Sequence, residues 1–431
     1  MQLHSDQNDG GDQQATAMLV EDQSQLQQSQ SPPISPLSRL LRSVVAKQYD
    51  AKKHPLRLSD VPIPRTLQQA LASPFAAYWK DAYVRSELGS HAEHGTWEEV
   101  DGSVPLQERA NIVGCRLVFA CKGENGCLHR FKVRLVARGF SQRYGVDYLE
   151  TFSPVLKYKA LRVVLHLVAA MGLKLEVMDV VTAYLNAELK ERVFMLAPPG
   201  YEHYTRANNG EWRARVCLLR KAIYGLKQAG REWNAELNSF LLSLGLRRLS
   251  SDPCVYVKLS RSRHLLIVSA YVDDIPSAYH PADQQEWGEL KAMFAAKFSI
   301  KFLGEAEWLL NMRITREVTV DPQTGRRAVS VLLDQEAYVD DMLLELGIDR
   351  AAFRTATSPS SGEPLTRLQC PADGSEEQVR MRRLPYRKCI GLLTYLANTS
   401  RPDISHAVNQ AAQFAQNPGE QHWRAVKQIL R

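Results

Sequence analysis

The chain has 431 residues, 45% hydrophobic and 23% charged, which suits two or three packed domains and excludes a fibrous or largely disordered protein. Its net charge is +7, yet residues 1–38 carry five acids and no Lys or Arg, so the remainder is more basic still and suits a polyanion such as nucleic acid. Seven cysteines without a CxxC pair predict reduced thiols and no zinc site; with no signal-like N-terminus and no apolar stretch of 18 residues, the expected setting is cytoplasmic or nuclear, unsecreted and away from membranes.

Residues 1–55 read as a disordered Gln/Ser/Pro-rich tail. Its first 36 residues are rich in Gln, Ser, Asp and Pro, too poor in large apolar side chains to offset the entropy of ordering, so disorder is expected there. A helical lead-in is expected over 56–105, with helical spacing over 66–88 and Trp79, Ala82 and Tyr83 on one side. Two strands follow, 115–121 and 130–137, around the turn signal Gly123-Glu124-Asn125-Gly126. An apolar helix over 160–171 is stopped by Gly172. A strand then runs to Asp179, and a helix is predicted over 225–246 with Trp233, Leu237, Phe240 and Leu241 facing a core. The apolar run Leu265-Leu266-Ile267-Val268-Ser269-Ala270 predicts a buried strand. Helices are expected over 286–298 and 335–346, a polar loop over 355–380, and a last helical region over 386–396 and 404–415.

Two of these strands end in acid. Tyr271-Val272-Asp273-Asp274 follows the apolar run, and Asp179 follows the earlier strand. Buried carboxylates are costly without a positive partner, and a divalent metal is the natural one. Neighbouring residues on a strand point to opposite faces, so a turn is needed to bring Asp273 and Asp274 to one site. Three such carboxylates could hold two Mg²⁺ ions, with Mn²⁺ as a substitute, for phosphoryl or nucleotidyl transfer. Lys132, Arg134 and Arg138 alternate along one predicted strand and would share a face. Basic residues at Lys159, Arg162, Arg380, Arg382, Arg383, Arg387 and Lys388 are candidates for sequence-independent phosphate contacts.

The ordered stretches Met178-Asp179-Val180-Val181-Thr182-Ala183-Tyr184-Leu185-Asn186, Tyr224-Gly225-Leu226-Lys227-Gln228-Ala229 and Tyr271-Val272-Asp273-Asp274 resemble the reverse transcriptase of copia-type LTR retrotransposons. Further matches are Arg134-Leu135-Val136-Ala137-Arg138-Gly139-Phe140-Ser141-Gln142, Thr151-Phe152-Ser153-Pro154-Val155 and Asp252-Pro253-Cys254-Val255-Tyr256. The resemblance runs from about Pro64 to the end. It implies an α+β right-hand polymerase: fingers and palm over 106–315 with an antiparallel sheet, then a thumb-like or connection-like helical part over 316–431. It also implies an RNA-directed DNA polymerase acting on dNTPs and an RNA or DNA template–primer. On that resemblance Asp179, Asp273 and Asp274 are catalytic and, with the Val180 carbonyl, bind metal. Tyr184 would pack under the deoxyribose and exclude a 2′-hydroxyl. Lys132, Arg134, Arg138 and Gln228 would hold the incoming nucleotide.

Several positions depart from the family's usual residues. Pro276 stands just past the acidic pair, where a proline lacks a ladder N–H and belongs at an edge, so a distorted hairpin is expected. Val181 replaces a common Lys, Phe302 a usual Asp, Asn311 a usual Gly, Leu117 a common Trp and Gly230 a usual Pro. The chain ends where the family's RNase H would begin, so the expectation is a fragment of an element. A second reading stays open: a catalytically impaired remnant that folds and only binds nucleic acid.

Overall fold

The computed structural model describes residues 34–124, 126–206, 212–320, 323, 327–348, 358–360 and 364–431. The chain divides into two units, Met1–Pro154 with Val181–Leu244, and Val155–Val180 with Gly245–Arg431. Both mix helices with sheets whose strands are almost all antiparallel.

In the first unit the expected tail over 1–55 gains structure early. Residues 1–33 lie outside the described residues, but Pro36–Ser43 is a helix. Ser35 caps it, the Ser38 hydroxyl donates to the Gly200 carbonyl at 2.9 Å, and Leu41 is buried. Averaged composition hid this short amphipathic turn. The single helix expected over 66–88 is broken into Leu67–Ala72, Ala76–Asp81 and a π-helical stretch Ala82–Leu88. The break falls at Ser73, which precedes Pro74 and is therefore held extended. Trp79, Ala82 and Tyr83 are buried, as the spacing predicted.

The two predicted strands form a long hairpin, β1 (Cys115–Glu124) and β2 (Cys127–Ala137). One face of β2 buries Phe131, Val133 and Leu135. Trp79 meets Phe131 edge-on at 4.6 Å, so the lead-in helices form the hairpin's apolar backing. The opposite face carries Lys132 and Arg134, half-buried. The Asn125 part of the predicted turn lies outside the described residues. A sheet of Trp97–Asp101, Trp212–Lys221, Glu188–Leu196 and Ile112–Val113 completes the unit, with Tyr204–Arg206 beside it. The helix expected from 225 begins later, at Ala229–Ser243. Gly225 has φ +92°, and a Cβ there would lie 2.1 Å from the Ala137 carbonyl oxygen, so the chain turns against β2 before it can coil. In that helix Trp233, Leu237 and Leu241 are buried while Phe240 is half-exposed.

The second unit opens with α1 (Tyr158–Met171), ended by Gly172 in the left-handed conformation. A six-stranded sheet follows. Its named strands are β3 (Lys174–Val180), β4 (Val255–Leu259), β5 (Leu265–Ser269), β6 (Asp274–Tyr279) and β7 (Ile300–Glu305). The order is β7-β3-β6-β5-β4, then the short Arg247–Arg248 pair. Leu175, Val177, Ile267 and Ala278 face Leu161, Val164, Leu165 and Val168 of α1. On the other face the helix α2 (Gln284–Lys297) buries Trp287, Leu290 and Phe294. Glu176 ties α2 to the sheet: it accepts from Tyr279 Oη at 2.6 Å, Trp287 Nε1 at 2.9 Å and Lys291 Nζ at 2.9 Å.

Pro276 does not sit at an edge. β6 is an inner strand between β3 and β5. Tyr271 and Asp274 exchange N–H···O bonds of 2.8 and 3.0 Å, closing the hairpin tip. Backbone groups alternate along an antiparallel strand, so Asp274, Pro276 and Ala278 turn theirs toward β5, and Ile275, Ser277 and Tyr279 toward β3. The 2.8 Å bond from Val180 N–H to the Asp273 carbonyl fits that alternation. The missing N–H therefore leaves a gap on the β5 side, where pairing is recorded at Ile267–Ala278 and Val268–Ser277 but not at Ser269–Pro276. On the β3 side the register runs unbroken from Asp274–Asp179 through Pro276–Val177 to Tyr279–Lys174. The expected distortion is thus confined to one ladder step, away from Asp179.

Beyond the sheet, Trp308–Leu309, Met312–Val320 and Arg327–Asp334 form a three-stranded sheet. Asn311 has φ +57°, a conformation open to Gly and tolerated by Asn, so its departure from the usual Gly is conformationally mild. The helices Glu336–Glu345, Tyr386–Thr399, Ser405–Ala412 and Glu420–Ile429 share a second core around Leu393, Val408 and Val426. The polar loop expected over 355–380 lies partly outside the described residues, and from Glu376 it is the helix Glu376–Arg382, capped by Ser375.

Candidate active site

Asp179 and Asp274 are direct cross-strand partners on β3 and β6. The alternation above makes theirs a non-hydrogen-bonded pair, in which Cα atoms approach to about 4.5 Å and side chains lie closest. Like charges placed so are unfavourable without a counter-charge. Asp273 sits in the turn beside them, and Val272 before it has φ +55°, strained for a β-branched residue. That strained turn is what brings both members of the acidic pair to one strand end. The Asp274 carboxyl is pushed up to about 6, first by burial, then by the charges of Asp179 and Asp273. The arrangement is a half-buried set of mutually repelling carboxylates, which is the chemistry a divalent cation fits.

Among the described residues, a tighter group is His264, His280 and Asp283, with potential ligand atoms all within 4.8 Å of one another. Both Nδ1 atoms and one Asp283 oxygen are already engaged. His264 Nδ1 pairs with Asp283 Oδ2 at 3.0 Å, His280 Nδ1 accepts from Ala282 N–H at 3.2 Å, and the two rings stack at 3.9 Å. These bonds clasp the β4–β5 turn to the turn before α2.

The nucleotide-holding candidates lie in the first unit. Lys132 and Arg134 share the outer face of β2 as predicted, while Arg138 lies past the strand, exposed, its side chain along Gly114. The Lys132 amine is pulled down to about 8, first by burial, then by Arg134, Arg130 and Lys122, with Glu87 opposing. Such a crowded set of cations gains by meeting an anion. The Arg134 guanidinium stands 4.7 Å over the Tyr224 ring, and Tyr184 meets that ring edge-on at 4.8 Å. In the sequence Tyr224 is one letter of a motif, and the glycine after it is the sign that its backbone is pinned.

Gln228 has a different place from the one expected. It is fully buried. Its amide N–H donates to the Asp147 carbonyl at 2.8 Å, and its oxygen accepts from Gln142 Nε2 at 2.9 Å. Gln142 in turn accepts from Lys227 N–H at 2.8 Å. Both ends of the Gln228 amide are used within the unit, so it braces the turn rather than facing a ligand.

Among the described residues, no helix is long and apolar enough to cross a membrane. A family model described as reverse transcriptase (RNA-dependent DNA polymerase) matches residues 95–349. The chain is 35% identical over 402 residues to the retrovirus-related Pol polyprotein from transposon TNT 1-94 of Nicotiana tabacum, covering 92% of this chain and 28% of that protein. It is 35% identical over 381 residues to the corresponding polyprotein from transposon RE1 of Arabidopsis thaliana, covering 85% and 23%. The Ty1-BL Gag-Pol polyprotein of Saccharomyces cerevisiae is 24% identical over 67% of the chain. The chain thus spans about a quarter of the length of the two plant relatives.

Proposed function

The chain belongs to the reverse transcriptase (RNA-dependent DNA polymerase) family, and from that membership we propose that it extends a primer 3′ end with dNTPs on an RNA or DNA template. The observation that carries the proposal is the Asp179–Asp274 cross-strand pair with Asp273 in the adjoining turn. Asp179, Asp273, Asp274 and the Val180 carbonyl would hold two Mg²⁺ ions. When bound, these ions supply charge neutralisation, activation of the primer hydroxyl and stabilisation of the departing pyrophosphate. Asp274, with its carboxyl near 6, is mostly ionised at neutral pH and so ready to serve as a ligand.

In this reading the β1–β2 hairpin serves as fingers, the six-stranded sheet as palm and the C-terminal helices as a thumb-like part of a right-hand polymerase. Lys132, Arg134 and Arg138 meet the triphosphate, Arg134 through its planar fork of donors. Tyr184 fills the space that a ribose 2′-hydroxyl would need. The basic remainder of the chain contacts template–primer phosphates without reading sequence. The test is extension of a DNA primer on an RNA template with dNTPs and Mg²⁺. Product that disappears on chelation is expected; no product from folded protein with Mg²⁺ or Mn²⁺ would overturn the proposal.

A further inference from the structure

We propose that Tyr224 is a positioning residue that sets both the triphosphate grip and the sugar gate; this rests on the roles given above to Arg134 and Tyr184. The three side chains come from three segments: β2, the turn Ala183–Asn186 and the loop before the Ala229–Ser243 helix. Tyr224 touches both others. All three are half-buried, so each keeps surface for a ligand.

The ring is held by its backbone. The Tyr224 carbonyl accepts from Ala137 N–H at 2.8 Å, and Gly225 behind it packs onto the same stretch of β2. Gly139 closes the contact from the other side, since a Cβ there would lie 2.1 Å from the Gly225 carbonyl oxygen. With the loop clamped, the ring is a fixed platform. A guanidinium lying over an aromatic face keeps its N–H edge free in its own plane, and that edge is what grips phosphate oxygens in pairs. The edge-to-face contact with Tyr184 limits the tilt of that ring, and hence how much room it leaves at the sugar. One ring therefore couples affinity for the triphosphate to discrimination at the 2′ position.

The experiment uses the full chain on a dideoxy-terminated primer–template and measures dNTP affinity; a parallel extension assay measures dNTP over rNTP preference. Tyr224→Phe keeps the ring and should weaken dNTP binding and sugar discrimination far less than Tyr224→Leu does. Tyr224→Leu should weaken dNTP binding about fivefold, the equivalent of roughly 1 kcal/mol, and lower sugar discrimination with it. Replacing Tyr224 with pentafluorophenylalanine keeps a ring of similar size but inverts its charge distribution, on which both the cation contact and the edge-to-face contact depend; it should weaken dNTP binding and lower sugar discrimination, and it stays informative if the leucine variant misfolds. If Tyr224→Leu and the fluorinated ring both behave as wild type while Arg134→Ala weakens binding and Tyr184→Ala admits ribonucleotides, this inference is wrong and the nucleotide-site reading survives. If wild type binds no dNTP, or Arg134→Ala and Tyr184→Ala change nothing, the reading falls and the inference falls with it.

Discussion

Replacing Pro276 with valine should change both stability and rate very little, and the reason lies in which neighbour the proline faces. Its nitrogen points at β5, where a valine N–H would restore one ladder bond to the Ser269 carbonyl. Such a bond contributes about 0.5–1.5 kcal/mol. Against it stands the loss of the proline's restriction of the unfolded chain, about 0.4–1 kcal/mol. The two nearly cancel, so the folding free energy should move by no more than about 1 kcal/mol. The acids are governed by the other side of β6. There the pairing of Asp274 with Asp179 is continuous through Pro276, so the carboxylates should not move. A displacement of about 1 Å would alter the rate on the order of 10²-fold. The assay is urea unfolding for both proteins, then single-nucleotide extension at equal folded fraction. Rates within a few-fold are expected. A gain approaching 10²-fold in Pro276→Val would refute the reasoning, because it would mean that the proline displaces the acids despite the intact register.

Asp274→Asn should stabilise the metal-free protein while removing activity. The folded carboxyl is raised to about 6, above its unfolded value, so the stability it contributes is present below about pH 4 and lost as pH rises to about 6. The variant's advantage should therefore grow over that window to about 1–2 kcal/mol once solvent screening of the half-exposed carboxyl is allowed for, read by thermal melting across pH; a difference that is flat with pH would contradict the charge crowding. Glu176→Ala should destabilise by about 2–3 kcal/mol, since Tyr279, Trp287 and Lys291 each lose an acceptor; chemical unfolding within 0.5 kcal/mol of wild type would show that the network does not hold α2 to the sheet. Tyr184→Ala should admit ribonucleotides, and unchanged discrimination in an incorporation assay would leave Tyr184 as packing alone.

The sequence made legible those features whose causes are local. Apolar runs ending in acid marked β3 and the β5–β6 hairpin, Gly172 marked the end of α1, and alternation placed Lys132 and Arg134 on one face. What escaped depends on partners distant in the chain. Pro276 looks like an edge residue until β3, about a hundred residues upstream, is known to pair with β6 from the far side. Gln228 looks like a free polar residue near a helix start until Gln142 and Asp147 take its amide. The Glu176 network joins a strand to a helix that begins more than a hundred residues later, and no spacing in the chain announces it. The break at Ser73–Pro74 was legible, because a residue before proline resists helix, but the apolar spacing across it outweighed that signal.

The central claim, that Asp179 and Asp273 work with Asp274 as one metal-dependent centre for nucleotidyl transfer, is tested most directly by addition of a single dNTP to a DNA primer on an RNA template. Wild type, Asp179→Asn and Asp273→Asn are compared at equal folded fraction over a range of Mg²⁺. The expected result is extension by wild type that rises with Mg²⁺ and falls to background in both variants. Extension that persists in either variant, or its absence from folded wild-type protein at every Mg²⁺ concentration, would contradict the account.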